Sequence, residues 1–464
     1  HVAEGGSTMT VVEEEQLAAL EGFAGELLRP GDTGYEEART HYNALVDKRP
    51  ALIARCRGAA DIVAAVNFAR ENGFEASIRG GGHSVAGLSL TDGGVTIDLS
   101  RMRGIHVNPA KRTARAQAGV TWAELNRETQ LHGLAVTGGV ISTTGIAGLT
   151  LGGGLGWLMP KYGLATDNLL SADVVTADGR LLTASANENE DLFWGLRGGG
   201  GNFGVVSSFE YRLHPVGPNI TGGLVIHPFE AAGDVLRFFR EFTADLSDNL
   251  MVFAGVIHAP DGSGAKLSGI LPCHIGPPEE AERDLRPLLE FGSPVMQEVG
   301  PLPYTVMNSL LDDAYPTGSL NYWKSSFLRE LSDEAIDTVI EHFQSCPSPM
   351  SAMLFEHFHG EVTRVPVDAT AVPHREPSYN FAITSVWTDP ATSDANVEWT
   401  RRTHAAMEPF LANRRYLNYM SEDDVGLAPV QAGYGPNQDR LAKLKAEYDP
   451  ENFFHLNLNV EPNA

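Results

Sequence analysis

The residues best placed to do chemistry in this 464-residue chain sit in and beside two glycine loops. The first reads Arg79-Gly80-Gly81-Gly82-His83-Ser84, and the second runs from Gly145 through Gly148 to Gly152-Gly153-Gly154. Backbone N–H groups cradle a diphosphate only where no side chain blocks the approach, and glycine gives that access together with positive φ. Two such loops suit one large dinucleotide, whereas either loop alone reads equally well as a tight turn between packed strands. His83 closes the first loop. A neutral imidazole there is a good nucleophile, and capping a turn is its other use.

Two further patterns carry weaker chemistry. A literal GxGxxG sits at Gly199, Gly201 and Gly204. A nicotinamide-binding loop must follow a strand and open a helix, but here a helical stretch precedes and a strand follows, so that reading is excluded. The stretch 351–361 carries Glu356, His357, His359 and Glu361. As a strand it puts His357 and His359 on one face and Glu356 on the other. An HxH pair can bind metal, but no third ligand is evident, so no metal is expected.

The elements that must position these groups follow from periodicity. Residues 61–72 read as an amphipathic helix capped by Asp61 and ended by Gly73. A strand at 74–78 leads into the first loop, with further strands at 95–99 and 113–117. Thr121 and Glu124 form a capping box for a helix at 122–132. Apolar runs at 171–177 and 180–184 flank Asp178-Gly179, a hairpin signal, and 205–213 alternates as a strand. The texture changes near His214-Pro215 and Gly217-Pro218. Beyond it, helices at 229–246, 279–290, 333–344 and 395–411 alternate with strands at 250–256, 351–359, 378–387 and 415–420. That predicts an α+β unit on an antiparallel sheet. A helix at 438–447 opens the tail. The expected division is 1–215, 216–424 and 425–464, with residues 1–8 ahead of Met9 read as an expression remnant.

Bulk composition narrows the classes. Hydrophobic residues make 42% and charged residues 20%, an ordinary globular balance. The net charge of −25 repels nucleic acid and anionic membrane, so neither is expected as a partner. Cys56, Cys273 and Cys346 are scattered without a CxxC pair, which fits a reducing cytoplasm and argues against a zinc site. No run of 18 apolar residues suggests a membrane span, and residues 11–28 are acidic, unlike a signal peptide.

The order of the motifs resembles one family. RGGGHS at 79–84, the second loop with Lys161-Tyr-Gly-Leu-Ala-Thr-Asp-Asn168, DLFWGLRGGGGNFGVV at 191–206 and KAEYDPENFFHLNLNV at 445–460 are similar to the signatures of the berberine-bridge-enzyme-like FAD-linked oxidases. The resemblance implies the vanillyl-alcohol-oxidase fold: a PCMH-type FAD-binding domain at 1–215, a second α+β substrate domain at 216–424, and a C-terminal segment, 425–464, returning to the first.

It also implies roles. FAD is expected to bond covalently to His83. Arg79, Gly80, Gly81, Gly82, Ser84, Gly87, Gly138, Thr144, Gly145, Gly148, Gly153, Val206, Asn457 and Asn459 would surround it. Many relatives add a cysteine link, but the matching position here is Ile141, and a histidine found further on is replaced by Leu149. One covalent link is therefore expected. Thr144 falls where relatives admit oxygen. Tyr416-Leu-Asn-Tyr419 is similar to a Y-x-N-Y strand whose last tyrosine is the base, so Tyr419 is expected to start the chemistry, with Asn418 on the opposite face. A phenol is a poor base at pH 7, and a nearby charge would have to lower its pKa; a packed strand tyrosine is the alternative. The resemblance puts 351–361 on the sheet roofing the flavin, making His357, His359, Tyr379 and Asn380 candidate substrate contacts. Some relatives carry a catalytic carboxylate near the position of Asn380, and an amide cannot replace it.

The function these readings imply is an oxidase that takes two hydrogens from a small alcohol or amine, with oxygen as acceptor. An oxygenase or cyclase tailoring a natural product is the second reading, and a non-catalytic ligand carrier the third.

Overall fold

The computed structural model describes residues 11–424 and 426–463, so the expected remnant at 1–8 lies outside the described residues. Short strands come first: β1 (Glu26–Leu28), β2 (Leu52–Arg55), β3 (Ala76–Arg79) and β4 (Val95–Asp98). They form a sheet in the order β1-β2-β4-β3, with β2 and β3 parallel to β4. The helix Ala59–Glu71 links β2 to β3 and buries Ile62, Ala65, Val66, Phe68 and Ala69. It begins two residues earlier than the sequence predicts, with Gly58 as its cap. Asp61 therefore sits in the first turn, where its carboxylate accepts from the backbone N–H groups of Ala24, Gly25 and Arg57. The predicted cap is thus a pin for the incoming N-terminal segment.

The chain then lays down β5 (Ile105–Asn108), β6 (Thr113–Gln117), the short β7 (Leu134–Ala135), β8 (Leu169–Val175), β9 (Leu181–Ser185), β10 (Val205–Arg212) and the short β11 (His214–Pro215). A second sheet runs β5-β6-β10-β8-β9, and β11 pairs with β7. The β8–β9 hairpin turns at Asp178-Gly179, where Gly179 has φ +81°. The hydroxyl of Thr121 caps the helix Trp122–Thr129 by accepting from Glu124 N.

The third sheet is built from β12 (Asn219–Pro228), β13 (Leu250–His258), β14 (Lys266–His274), β15 (Met296–Pro303), β16 (Leu320–Phe327), β17 (Ala352–Phe358) and β18 (Ser378–Trp387). Its order is β15-β12-β14-β13-β17-β18-β16, and every described pairing is antiparallel. Side chains alternate between its faces with period two. Val252, Ala254, Met353, Phe355, Phe381 and Ile383 pack in one core with residues of the helices Ala232–Phe242, Asp333–Gln344 and Ser393–Met407. The other face looks toward the glycine loops.

Periodicity locates β13, β17 and β18 but not β12, β14, β15 or β16. Glycine and proline interrupt β12 and β14 at Gly222, Gly223, Gly269 and Pro272. β16 carries Asn321, Lys324, Ser325 and Ser326, yet all eight of its residues are buried. The predicted strand at 415–420 is instead a 3₁₀ turn, Leu417–Tyr419. It lies against β16, but Ser421 stands in for a ladder: its hydroxyl accepts from Trp323 N and donates to Trp323 O. Among the described residues, no helix is long and apolar enough to cross a membrane.

The tail is fixed by a buried charge. Lys445, on the helix Gln438–Tyr448, pairs with Asp449 at 2.9 Å and donates to Asn202 O and Phe454 O. Asp449 also accepts from the N–H groups of Phe453 and Phe454. Removing one partner strands a buried charge, a loss of about 3–5 kcal/mol. Lys445→Ala is expected to lose that much in urea unfolding and to loosen the segment 453–460, read by faster amide exchange there.

Candidate active site

The two glycine loops meet backbone to backbone. A Cβ added to Gly81 would stand 2.5 Å from Gly145 N, and one added to Gly145 would stand 2.6 Å from Gly81 N. Only glycine permits that approach. Gly148 and Gly201 differ: a Cβ on either meets nothing within 4 Å, and both line a cleft of about 300 Å³. Gly80, Gly81, Gly82, His83, Ser84, Thr144, Gly145, Val206 and Asn457 border the same cleft. Four stretches far apart in sequence thus close around one space.

His83 stacks on Tyr42, with ring centroids 4.0 Å apart and 16° between planes. Its Nε2 lies 3.0 Å from Thr143 Oγ1, and its Nδ1 lies 3.5 Å from Thr144 Oγ1. Burial pushes the imidazole down to about 4, so the ring is neutral and nucleophilic at pH 7. Ile141 and Leu149 both border the cleft, and neither side chain can bond to a ligand covalently.

Five of the expected cofactor contacts stand off the cleft. Arg79 donates to Ala38 O and packs its guanidinium under Gly82, bracing the loop from behind. Gly87 turns the chain against Val46, and its carbonyl accepts from Lys48 Nζ. Gly138 makes room for the indole of Trp122, and Gly153 turns the chain at φ +119° beside Tyr416 and Val372. Asn459 is set back from the cleft, with its amide oxygen buried and unpaired.

The roof is the open face of the third sheet. Leu354 and Glu356 of β17 and Ala382 and Thr384 of β18 border the cleft. Alternation sends His357, His359 and Tyr379 elsewhere, so the expected substrate contacts are corrected. His357 stacks on His359 at 4.4 Å and on Tyr379 at 5.2 Å, on the helix side of the sheet. The Tyr379 hydroxyl bonds to Thr243 of the helix segment, and His359 to Leu250 O. Burial drives His357 down to about 3. The alternation itself follows from the sequence, but which face looks at the cleft depends on β12, β14 and β16, whose signals are weak.

Glu356 is the group that periodicity turned away. It is 1% exposed, and it accepts from Tyr419 Oη at 2.7 Å and from Asn380 Nδ2 at 2.8 Å. Asn380 pairs with Glu356 across the β17–β18 ladder, so the amide holds a carboxylate next door rather than replacing one. Burial raises the Glu356 carboxyl to about 7, against the two hydrogen bonds that lower it. Tyr419 is also pushed well above its ordinary value, first by burial and then by the Glu356 charge. The charge beside Tyr419 is thus an anion, and the expectation of a neighbour that lowers its pKa is corrected.

The 3₁₀ turn explains the rest of the Tyr416–Tyr419 segment. Residues three apart eclipse on such a turn, and the Tyr416 and Tyr419 rings meet edge-on at 4.9 Å. Asn418 does not face away. It borders the cleft and donates to Leu149 O and Tyr416 Oη. Tyr416 Oη in turn accepts from Gly154 N and Leu155 N, tying the turn to the second glycine loop. Tyr42, Tyr315 and Trp323 also border the cleft, and no sequence pattern marks them.

The FAD binding domain family model matches residues 50–185, which hold both glycine loops. The berberine and berberine-like model matches residues 415–461, which hold the tyrosine turn and the tail asparagines. (R)-6-hydroxynicotine oxidase of Paenarthrobacter nicotinovorans is 32% identical over 463 residues, covering 96% of this chain and 99% of its own. This chain belongs to the berberine-bridge-enzyme-like FAD-linked oxidoreductases. An FAD-linked oxidoreductase of Dictyostelium discoideum is 29% identical, covering 98% of this chain and 97% of its own. The crystal structure of 6-hydroxy-D-nicotine oxidase from Arthrobacter nicotinovorans superposes with a TM-score of 0.87 at 30% identity, covering 95% of this chain and 98% of that one. Berberine bridge enzyme bound to (S)-reticuline shares the fold, with a TM-score of 0.88 at 21% identity, covering 98% of this chain and all of that one.

The cleft of this FAD-linked oxidoreductase fits the cofactor on three observations. Gly148 and Gly201 leave open space where any side chain would intrude. The neutral ring of His83 borders that space. Asn457, on the tail, borders it with a buried amide oxygen that has no partner in the protein. Gly80–Gly82, Gly145, Gly148 and Gly201 would receive the dinucleotide, with Asn457 as a polar contact.

Because the Tyr419 hydroxyl lowers the Glu356 carboxyl, Tyr419→Phe is expected to move the Glu356 titration above about 7. Asn380→Leu acts in the same direction. The protonated carboxyl's infrared band, followed against pH, reads both shifts; a midpoint unchanged or lowered in either variant contradicts the assigned cause.

Proposed function

We propose that this flavoenzyme is an oxidase that removes two hydrogens from an alcohol or amine, passes the electrons to oxygen, and holds FAD by one covalent bond to His83. Residues 1–215 with 425–464 hold the cofactor, and 216–424 supply the roof over the substrate. The observation that carries the reading is the 2.7 Å hydrogen bond from Tyr419 to Glu356 at the cleft wall. It gives a proton from the substrate heteroatom a place to go.

When bound, FAD accepts a hydride equivalent from the substrate carbon and is reoxidised by oxygen. The protein moves the proton. Tyr419 Oη takes it from the substrate hydroxyl or ammonium while its own proton passes to Glu356. The phenol stays neutral throughout, as its raised pKa requires. Glu356 is the acceptor that ends the relay, and its value near 7 matches the working range of a general base. His83, neutral at pH 7, is free to serve as the attachment point. Ile141 and Leu149 support one link rather than two. The names of the relatives agree in kind. One is a 6-hydroxynicotine oxidase, and two solved neighbours of lower identity are oligosaccharide oxidases.

The relay fixes the sign of the pH dependence. Glu356 must be ionised to accept, so the rate of flavin reduction is expected to rise with pH through about 7. Glu356→Gln abolishes that rise. Tyr419→Phe and Glu356→Gln each slow reduction by roughly 10²–10⁴-fold, the usual loss of a general base. Anaerobic stopped flow measures both, and wild-type rates in either variant remove the relay. Mass spectrometry of digests is expected to find flavin on the peptide holding His83 and on none from 133–160. Hydrogen peroxide formed one-to-one with product separates an oxidase from an oxygenase, and the connectivity of the product separates simple oxidation from cyclisation.

A further inference from the structure

We infer that the substrate is an apolar, ring-bearing alcohol or amine whose proton-bearing heteroatom meets Tyr419, and that saccharides and carboxylated compounds are excluded. The inference rests on the oxidase reading above and follows from the polar groups at the roofed end of the cleft. Its walls are Phe253, Leu311, Tyr315, Trp323, Leu354 and Ala382. Their hydrogen-bonding atoms are already used within the protein. Tyr315 Oη pairs with Thr384 Oγ1 at 2.8 Å, and Trp323 Nε1 donates to Asn321 Oδ1 at 3.2 Å. Tyr416 Oη receives two backbone N–H groups and the Asn418 amide. Tyr42, stacked on His83 and packed with Tyr315 and Trp323, has a hydroxyl that is itself buried and without a partner. The Asn418 amide oxygen is not engaged among the described residues, but an amide oxygen is no base, which leaves Glu356 and Tyr419 as the pair able to take a substrate proton.

Two consequences follow. A sugar carries hydroxyls on nearly every carbon, and each loses its water on entering a wall with no partner to offer. Such a group costs roughly 10- to 100-fold in affinity. A carboxylate fares worse. No lysine or arginine is among the residues bordering the cleft, and the carboxylate of Glu356 repels a second anion. Rings suit the walls. Trp323 meets Tyr419 edge-on at 5.5 Å and Tyr315 at 5.7 Å, so aromatic edges and faces are presented together. An ammonium substrate gains further from the Glu356 charge.

The test uses the FAD-loaded enzyme and four probes: 4-isopropylbenzyl alcohol, N-methylbenzylamine, 4-(hydroxymethyl)benzoate and cellobiose. Binding is read without oxygen from the perturbed flavin absorption, and reduction from its bleaching. 4-Isopropylbenzyl alcohol and N-methylbenzylamine, each with an apolar ring and one proton-bearing heteroatom, are expected to bind roughly 100-fold or more tighter than the other two. Cellobiose or 4-(hydroxymethyl)benzoate binding within threefold of 4-isopropylbenzyl alcohol overturns the inference. Leu354→Arg places a cation on the wall and is expected to narrow the gap between the benzoate and its isopropyl counterpart at least tenfold. A gap left unchanged in the folded, flavin-loaded variant puts the ring elsewhere and also overturns it. Selective binding of the apolar probes without bleaching upholds this substrate class and sinks the oxidase reading instead.

Discussion

A carboxyl taken out of water with no cation beside it is the constraint on which this site depends. Glu356 is buried in the roof sheet, and its two partners, Tyr419 and Asn380, are neutral donors. A buried carboxylate with an arginine partner would be a fixed anion, held well below neutrality and inert as a base. With two neutral donors the balance is close. Desolvation raises the group, the hydrogen bonds lower it, and the result near 7 lets it exchange a proton under ordinary conditions. The cost of that burial is carried by the surrounding fold, which must hold both donors in place.

Much of the structure around the cleft is arranged to that end. Asn380 is fixed by ladder register, one strand away from Glu356. Tyr419 is harder to hold, because it lies on an irregular turn. Tyr416 anchors the turn on one side by accepting backbone N–H groups of the second glycine loop. On the other side, Ser421 takes the edge of β16, while buried Lys324 bonds Asp423 at 2.8 Å and Asp424 at 2.6 Å. Arg415 adds a second cation to Asp424. Lys324 and Arg415 thus pair with Asp423 and Asp424, and no cation is among the influences on the Glu356 carboxyl. Asn43 completes the frame by bridging Val85, next to the first loop, to Asn321 of β16.

Sequence carries the two halves of this site unequally. The glycine loops are legible because their requirement is local: Gly81 and Gly145 need the absence of a side chain, and a run of glycines announces it. His83 is legible for the same reason, since it closes such a run. The roof is not local. Whether Glu356 or His357 faces the cleft depends on which side of a seven-stranded sheet the helices cover. Four of those strands are masked by glycine, proline or buried polar residues. Alternation separates Glu356 from His357, while Glu361 lies past the strand on the helix Glu361–Arg364, and alternation alone could not say which face looks into the cleft. The segment 416–419 failed for a related reason. Its residues suit a strand, but the edge of β16 is met by the Ser421 side chain, which frees the backbone to turn.

One physical cause acts on the titratable groups of the cleft in opposite senses. Burial lowers His83 to about 4 and raises Glu356 to about 7, so each is pushed toward its neutral form. The same burial keeps Tyr419 and Tyr416 protonated. At neutral pH the cleft therefore holds a neutral imidazole, intact phenols and one carboxyl poised near its titration point. A site so arranged has almost no fixed field of its own. In the proposed relay, charge that appears during reaction would be carried by the bound cofactor and by the proton passed to Glu356. Under the proposed relay, specificity would come mainly from shape and from the exclusion of groups that need water, and catalysis from one short path, from substrate to Tyr419 to Glu356. The glycine loops and the buried carboxyl are then two answers to one requirement. The first keep side chains out of the cofactor's space, and the second sets one titratable group, poised near neutrality, at the roofed end of the cleft.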